Sequence, residues 1–548
     1  MPENPIWSSD LSIFEEEEAV ARPYRHVAAA LVAAAAIVLA GCSGGNSANN
    51  SSNSSSSGGT LVVDTAFSLE TGDPGRNYVP TGNMVLHAVY DTLLTFQGAD
   101  STTPKPDLAT MKQNADATEF TFTIQDGRTF SDGTPVTADD VVFSLDRVAG
   151  ITDSKANFLM AGITVAKVDD KTVKLSTKTP SLQLPAIVTN PSLAIVNSKV
   201  VQKNGGTTDD KDAAKTWLDA NSAGSGPYKL QSLDLTSQVV LVKNDKYDGD
   251  DKPAYDQIVV RNISQSSTQL TNLKGGDSNV AVDLSGDQVK NLGDGFTVNS
   301  APSAETLFLL INQDKNVGGA TANPKFAEAV RYALDYDKLL ELAGSGSVQA
   351  TGVIPPMFPG ANKSGVKQDL EKAKAALAAS GYTGQEIKLQ FPNDNPVGGV
   401  EFTPVAERVQ EQLKAAGINA SLAPAPFATE VQPYVKAQEA FSLWYWGPDY
   451  ADTSSFLPFG PGQKVGLRAG WAAEADASIA DLVTKAQNAT SVDARNTAFG
   501  DYAKAMQESG PFVPLIVPGI NLASSTKVAG LEYNVTWTLD LRTLHPAK

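Results

Sequence analysis

Leu307-Phe308-Leu309-Leu310-Ile311 is the most constraining stretch of this chain. Five consecutive apolar residues at strand length leave no polar face for solvent, so the segment has to be covered on both sides. The sequence that follows can supply the cover. Helical patterns run over residues 324–342, 370–379, 403–416, 475–489 and 492–508, and strand-like runs over 387–391 and 441–446 fall between them. Helix–strand alternation of this kind implies an α/β lobe. Residues 512–517 return to strand. Upstream of Thr306 the texture differs. Short strands are expected at 61–63, 120–124, 172–176, 228–230 and 239–242, with helices over 84–96 and 138–148, the second capped by Thr137. A length of 548 residues suits about three to four such units.

Several chemistries are excluded by composition. A net charge of −18 offers no general basic surface for a phosphate backbone, so nucleic acid is not an expected partner. The single cysteine rules out an intramolecular disulfide and a cysteine-built metal cluster. His26, His87 and His545 are the only histidines, which leaves little for histidine-rich metal binding; no metal and no cofactor are expected. No G-x-x-x-x-G-K-[ST] loop is present for ATP, and no H-E-x-x-H for zinc hydrolysis. Gly41-Cys42-Ser43-Gly44-Gly45 matches G-x-S-x-G only formally, because no strand-to-helix elbow surrounds it.

At the N-terminus, Arg22, Arg25 and His26 precede an apolar run over 27–40, which is short for a bilayer span and sized like a signal-peptide core. It ends in Leu39-Ala40-Gly41-Cys42, which resembles a bacterial lipobox. The resemblance implies cleavage before Cys42 and lipidation of its thiol. Residues 15–18 form an acidic run where a signal peptide is normally positive, so translation is expected to start nearer Val20, or this leader is a dispensable extension. Ser, Gly and Asn dominate residues 43–59, a composition that makes a flexible tether reaching about 20–25 Å. Residues 1–41 are thus read as leader and signal, and 42–59 as lipidated cysteine and tether.

Five stretches of the body together resemble the extracytoplasmic solute-binding proteins of ABC importers, family 5, the peptide- and nickel-binding type. They are FTFTIQDGRTFSDGTPVTADDVVFSLDRV over 120–148, GSGPYKL over 224–230 followed by LVKNDKYDG from Leu241, AVRYALDYDKLL from Ala329, DLEKAKAALAASGY from Asp369 and WYWGPDYADTSSFL from Trp444. The resemblance implies an α/β fold: a bilobal periplasmic-binding-protein clamshell, type II-like, with an extra domain inserted in the first lobe. Expected boundaries are 60–100, 196–305 and 511–548 for a discontinuous first lobe, 101–195 for the inserted subdomain and 306–510 for the second lobe. The implied function is a lipid-anchored receptor on the outer face of the cytoplasmic membrane. It would capture peptides as a monomer and deliver them to permease subunits served by separate ATPases. The alternatives are the same scaffold binding a nickel chelate, sugar or other amine, and, in a different class, a secreted lipoprotein hydrolase.

Trp444-Tyr445-Trp446-Gly447-Pro448-Asp449-Tyr450 is the most informative local stretch. Gly447-Pro448 ends an apolar strand, and ligands of open α/β sheets sit beyond the carboxyl ends of strands. By residue type alone, Asp449 either caps a turn or faces a cleft. In the peptide-binding relatives the aspartate of this W-x-x-D-Y pattern pairs with the ligand's α-ammonium, and Asp449 matches it. Trp444, Trp446 and Tyr450 are candidate cleft walls, with core packing the alternative for the tryptophans. Asn77 and Tyr78, in a loop after Asp73-Pro74, are first-lobe candidates, with a plain surface loop the alternative. Some oligopeptide binders carry an arginine six positions before the aspartate; Leu443 stands there, which leaves ligand length open.

Overall fold

The computed structural model describes residues 58–250 and 252–548. The leader, the expected lipidation site Cys42 and the tether through residue 57 lie outside the described residues.

Three sheets organise the chain. The first has seven strands in the order Phe296–Pro302, Gly519–Ser525, Val280–Ala281, Thr60–Thr65, Gln257–Asn262, Gln238–Lys243 and Tyr228–Asp234. Its centre, Thr60–Thr65, pairs in parallel with Gln257–Asn262 and Val280–Ala281. The second sheet runs Val348–Gln349, Phe512–Val517, Thr306–Ile311, Phe441–Trp446, Ile387–Pro392 and Ala420–Ala425. Every residue of Thr306–Ile311 is buried, as its unbroken apolar run requires. Alternation along that strand sends Leu307, Leu309 and Ile311 into a core under the helices Pro324–Ala333 and Phe402–Ala415. Phe308 and Leu310 enter a second core with Phe456, Phe459, Phe499 and Tyr502. The third sheet, Ala109–Gln113, Glu119–Ile124, Thr172–Thr177 and Ile163–Lys167, is wholly antiparallel. The helix Ala138–Gly150 covers it, and together they enclose a separate core around Phe120, Phe122, Val141 and Leu145.

The first sheet gathers strands from both ends of the body, so the fold is the expected clamshell of two α/β lobes with an added β-domain. The chain crosses between the large sheets twice. Phe296–Pro302 leads through residues 303–305 into Thr306–Ile311, and Phe512–Val517 leads through Pro518 into Gly519–Ser525. The crossings lie side by side, with the Ser303 amide donating to the Pro518 carbonyl at 2.8 Å. A boundary at residue 511 therefore needs correction. Phe512–Val517 pairs antiparallel with Thr306–Ile311 in the second sheet. Its apolar pattern shows a doubly covered strand but not which sheet receives it.

Two helix expectations are also revised. The pattern over 84–96 is a helix only as Pro80–Val89; Leu94–Gln97 is a strand against Asp100–Pro106. Arg542 fixes the helix end by donating to the carbonyls of His87 and Tyr90 at 2.6 and 2.7 Å. The pattern over 324–342 breaks after Ala333, because the Asp335 carboxylate accepts from the Lys338 amide and starts a new helix, Tyr336–Leu340. At Thr137 the expected helix start is present. The Asp140 carboxylate accepts from both the amide and the hydroxyl of Thr137, the reciprocal half of a capping box.

Candidate functional site

The candidate site lies where the first lobe meets the carboxyl ends of the second sheet. Asp449, half-buried, stands three residues past the last residue of Phe441–Trp446. From the first lobe the Tyr78 hydroxyl reaches it, 3.1 Å from Oδ1 and 2.9 Å from the backbone carbonyl oxygen. Two residues chosen from separate parts of the sequence thus meet across the cleft. Burial, and after it the charge of Asp449, pushes the Tyr78 hydroxyl well above its usual range, so it remains a proton donor. Its ring packs edge-on against Phe158 of the inserted domain, with centroids 5.1 Å apart.

A buried ion network holds the Tyr78 loop. The Asp73 carboxylate accepts from the Gly75 amide at the start of a short turn, Pro74–Arg76. It also accepts from both terminal nitrogens of Arg147, at 2.8 and 2.6 Å, and from Arg76 at 2.8 Å. Asp212 completes the network with contacts of 2.7 Å to Arg147 Nε and to Arg76. Burial alone would raise the Asp212 carboxyl, but the two guanidinium groups hold it down at about 2. Arg147 sits on the helix Ala138–Gly150, so the network ties the cleft loop to the inserted domain.

Asn77 is buried beside Tyr78. Its amide nitrogen donates to Asn83 Oδ1 and its carbonyl accepts from the Ser192 hydroxyl, while its side-chain oxygen meets no donor. A Cβ at Gly82 would lie 1.7 Å from that oxygen, so any larger residue there would push the Asn77 side chain out of its place. Tyr450 packs against the inserted-domain core, and its hydroxyl lies 3.3 Å from that of Ser454. It is a second contact from the second lobe to the first.

The tryptophans differ from the wall expectation. Trp444 and Trp446 share one face of their strand, and that face is core. The Trp444 indole donates to Glu439 at 2.7 Å and stacks on Tyr434 at 4.2 Å. The Trp446 indole donates to the Ser455 carbonyl at 3.0 Å. Both N–H groups are satisfied inside the second lobe, so the rings support the cleft from behind. Leu443 faces the opposite core and is fully buried.

Glu305, in the first crossing between the lobes, was not singled out by sequence patterns. It is the only charged residue in the span 296–311, the one signal that could have marked it. It keeps some exposed surface, yet it sits deep enough among protein atoms that desolvation pushes its carboxyl up to about 7. Among the described residues no group of three or more His, Cys, Asp or Glu side chains is arranged to hold a metal ion. No helix among them is long and apolar enough to cross a membrane.

Paired α/β lobes with two strand crossings and opposed polar groups at the junction define a two-lobed solute receptor. The family described as bacterial extracellular solute-binding proteins, family 5, middle region, matches residues 103–464, and the chain belongs to that family. A probable D,D-dipeptide-binding periplasmic protein of Escherichia coli K12 is 27% identical over 484 residues, covering 86% of this chain and 91% of its own length. A dipeptide-binding protein of Bacillus subtilis is 22% identical over 469 residues, covering 80% and 83%. The solved ABC transporter substrate-binding protein CtaP of Listeria monocytogenes shares the fold with a TM-score of 0.78 at 19% identity, covering 90% of this chain and all of that one.

Proposed function

We propose that this chain is the substrate-binding component of an ABC importer and captures peptides through their free amino end. Asp449 carries the reading. It is a carboxylate at a strand end, opposed across the cleft by a hydroxyl that stays protonated. A ligand ammonium placed there adds a charge-assisted bond in a partly dry site, where it is stronger than in water. Closure of the lobes around ligand is the switch, and the closed form docks on the permease. The names of the relatives, a D,D-dipeptide binder and a dipeptide binder, support a peptide ligand. Binding without turnover fits the family better than hydrolysis.

In this reading residues 60–305 and 519–548 make the first lobe, with the inserted domain within it, and 306–517 make the second. Cys42 carries the lipid that holds the receptor at the outer face of the membrane.

A thermal-shift screen of the body from Thr60 tests the proposal. It compares free-amine di- to penta-peptides with amino-acetylated forms, sugars and nickel chelates. A ligand at about 100 times its Kd adds about 2.7 kcal/mol, which a melting curve resolves. Free-amine peptides are expected to raise Tm and acetylated ones are not, and Asp449→Asn is expected to lose the shift. Stabilisation by sugars or chelates alone would refute the peptide assignment.

A further inference from the structure

Glu305 occupies an unusual place for a carboxylate. It closes the first crossing, one residue before the buried strand Thr306–Ile311, and lies between the lobes. On the second-lobe side its Cγ lies 3.2 Å, and its Oε1 3.6 Å, from where a Cβ on Gly447 would stand. Tyr445 from the second lobe and Tyr533 from the C-terminal segment of the first lobe both feel its charge. Both phenols are held protonated by burial first, so they add no charge of their own. No Lys or Arg among the described residues offsets the Glu305 carboxylate, and desolvation alone perturbs it. A desolvated carboxylate without a cation is costly, and the cost is relieved by a proton or by a positive group brought from outside.

Glu305 lies beside Gly447, which is two residues before Asp449, so the Cα atoms of Gly447 and Asp449 are at most about 7 Å apart. Backbone positions that close let a lysine or arginine side chain, its own α-ammonium held at Asp449, extend toward the side of the cleft where Glu305 lies. We propose that Glu305 is a second cation-recognising carboxylate of this cleft and selects peptides with a positively charged side chain near the free amino end. The inference rests on the peptide reading of Asp449 and adds the side-chain class that the site prefers. Its proton balance is simple. A ligand cation beside Glu305 replaces the proton the carboxyl holds for part of the time near neutrality, and the displaced proton goes to buffer.

Isothermal titration of the purified receptor with Ala-Ala-Ala, Lys-Ala-Ala and Ala-Lys-Ala at pH 7 tests this, in buffers of low and high ionisation enthalpy. The wild type is expected to bind one of the lysine peptides at least about tenfold more tightly than Ala-Ala-Ala, with proton release seen only for that peptide. Glu305→Gln is expected to lose the proton release and to bind the lysine peptides no more tightly than it binds Ala-Ala-Ala. Glu305→Asp, which keeps the charge on a shorter arm, is expected to retain part of the preference and guards against misfolding of the glutamine variant. A lysine preference that is absent, or unchanged in both variants, overturns the inference and leaves the peptide reading standing. Equal proton release with all three peptides also overturns it, because closure alone would then account for the titration. If none of the peptides binds, the Asp449 reading falls and this inference with it.

Discussion

Replacing Tyr78 by phenylalanine removes one oxygen from the cleft and leaves the ring against Phe158. The hydroxyl lies within range of two acceptors, the Asp449 carboxylate at 3.1 Å and its carbonyl at 2.9 Å, but it has one proton to give. One hydrogen bond to a charged group is therefore lost, not two. Such bonds contribute about 1.5–3 kcal/mol, and Asp449 is only half-buried, so the low end applies. A loss of about 1.4 kcal/mol is about tenfold in the balance between closed and open lobes. Small-angle scattering of the ligand-free Tyr78→Phe receptor should show a larger radius of gyration than the wild type. Its melting temperature should change little, because the bond joins the lobes and adds nothing to either core. The Tyr78 hydroxyl stays protonated across the neutral range, so the difference should persist unchanged from pH 6 to pH 9. Identical scattering curves for the two proteins would refute the idea that this pair latches the cleft.

Two other perturbations have defined signs. Arg147→Met strands Asp73 and Asp212 with Arg76 alone, so urea unfolding should show a loss of about 3–5 kcal/mol, with the cleft loop exchanging its amides faster. The Glu439 carboxyl is buried and held above the usual range, chiefly by desolvation and further by Glu430, while Trp444 donates to it. A raised folded value means stability that is present in acid and lost as pH rises toward and past neutrality. Glu439→Gln should therefore match the wild type near pH 5 and exceed it at pH 8 by on the order of 2 kcal/mol, read from melting curves across pH.

The parts of the fold legible in sequence were those whose signal is local. The run at Leu307–Ile311 required a doubly covered strand, and the structure buries all of Thr306–Ile311. The helices Leu370–Ser380, Phe402–Ala415 and Val492–Ser509 fall within about a residue of their patterns. What failed depended on distant partners. Leu93 and Leu94 fit helical spacing, but Arg542 ends the helix from the far terminus, and no window around residue 90 contains that information. Phe512–Val517 reads as a buried strand in either lobe, and only pairing with Thr306–Ile311 decides. In the candidate site, strand-end chemistry and the family pattern both point to Asp449, and the structure sets it opposite Tyr78. The tryptophans misled because a ring that lines a wall and a ring that fills a core have the same sequence signature; the acceptors at Glu439 and Ser455 distinguish them. Glu305 carries little local signal, because a single acidic residue between two strand patterns looks like an ordinary linker.

The paired crossings also bear on the order in which the chain folds. The whole second sheet is drawn from one uninterrupted stretch, while the first lobe must join Ser300 to Asn521, 221 positions apart. Closing so long a loop through disordered chain is entropically unfavourable and slow. Once the second lobe has formed, its two ends already meet at Ser303 and Pro518, and the long loop becomes a short one. The edge pairing of Phe296–Pro302 with Gly519–Ser525 then closes almost as a hairpin. As the chain emerges outside the cytoplasm, the later lobe in sequence is thus the template on which the earlier one completes itself. The receptor has no finished cleft until its last thirty or so residues have arrived.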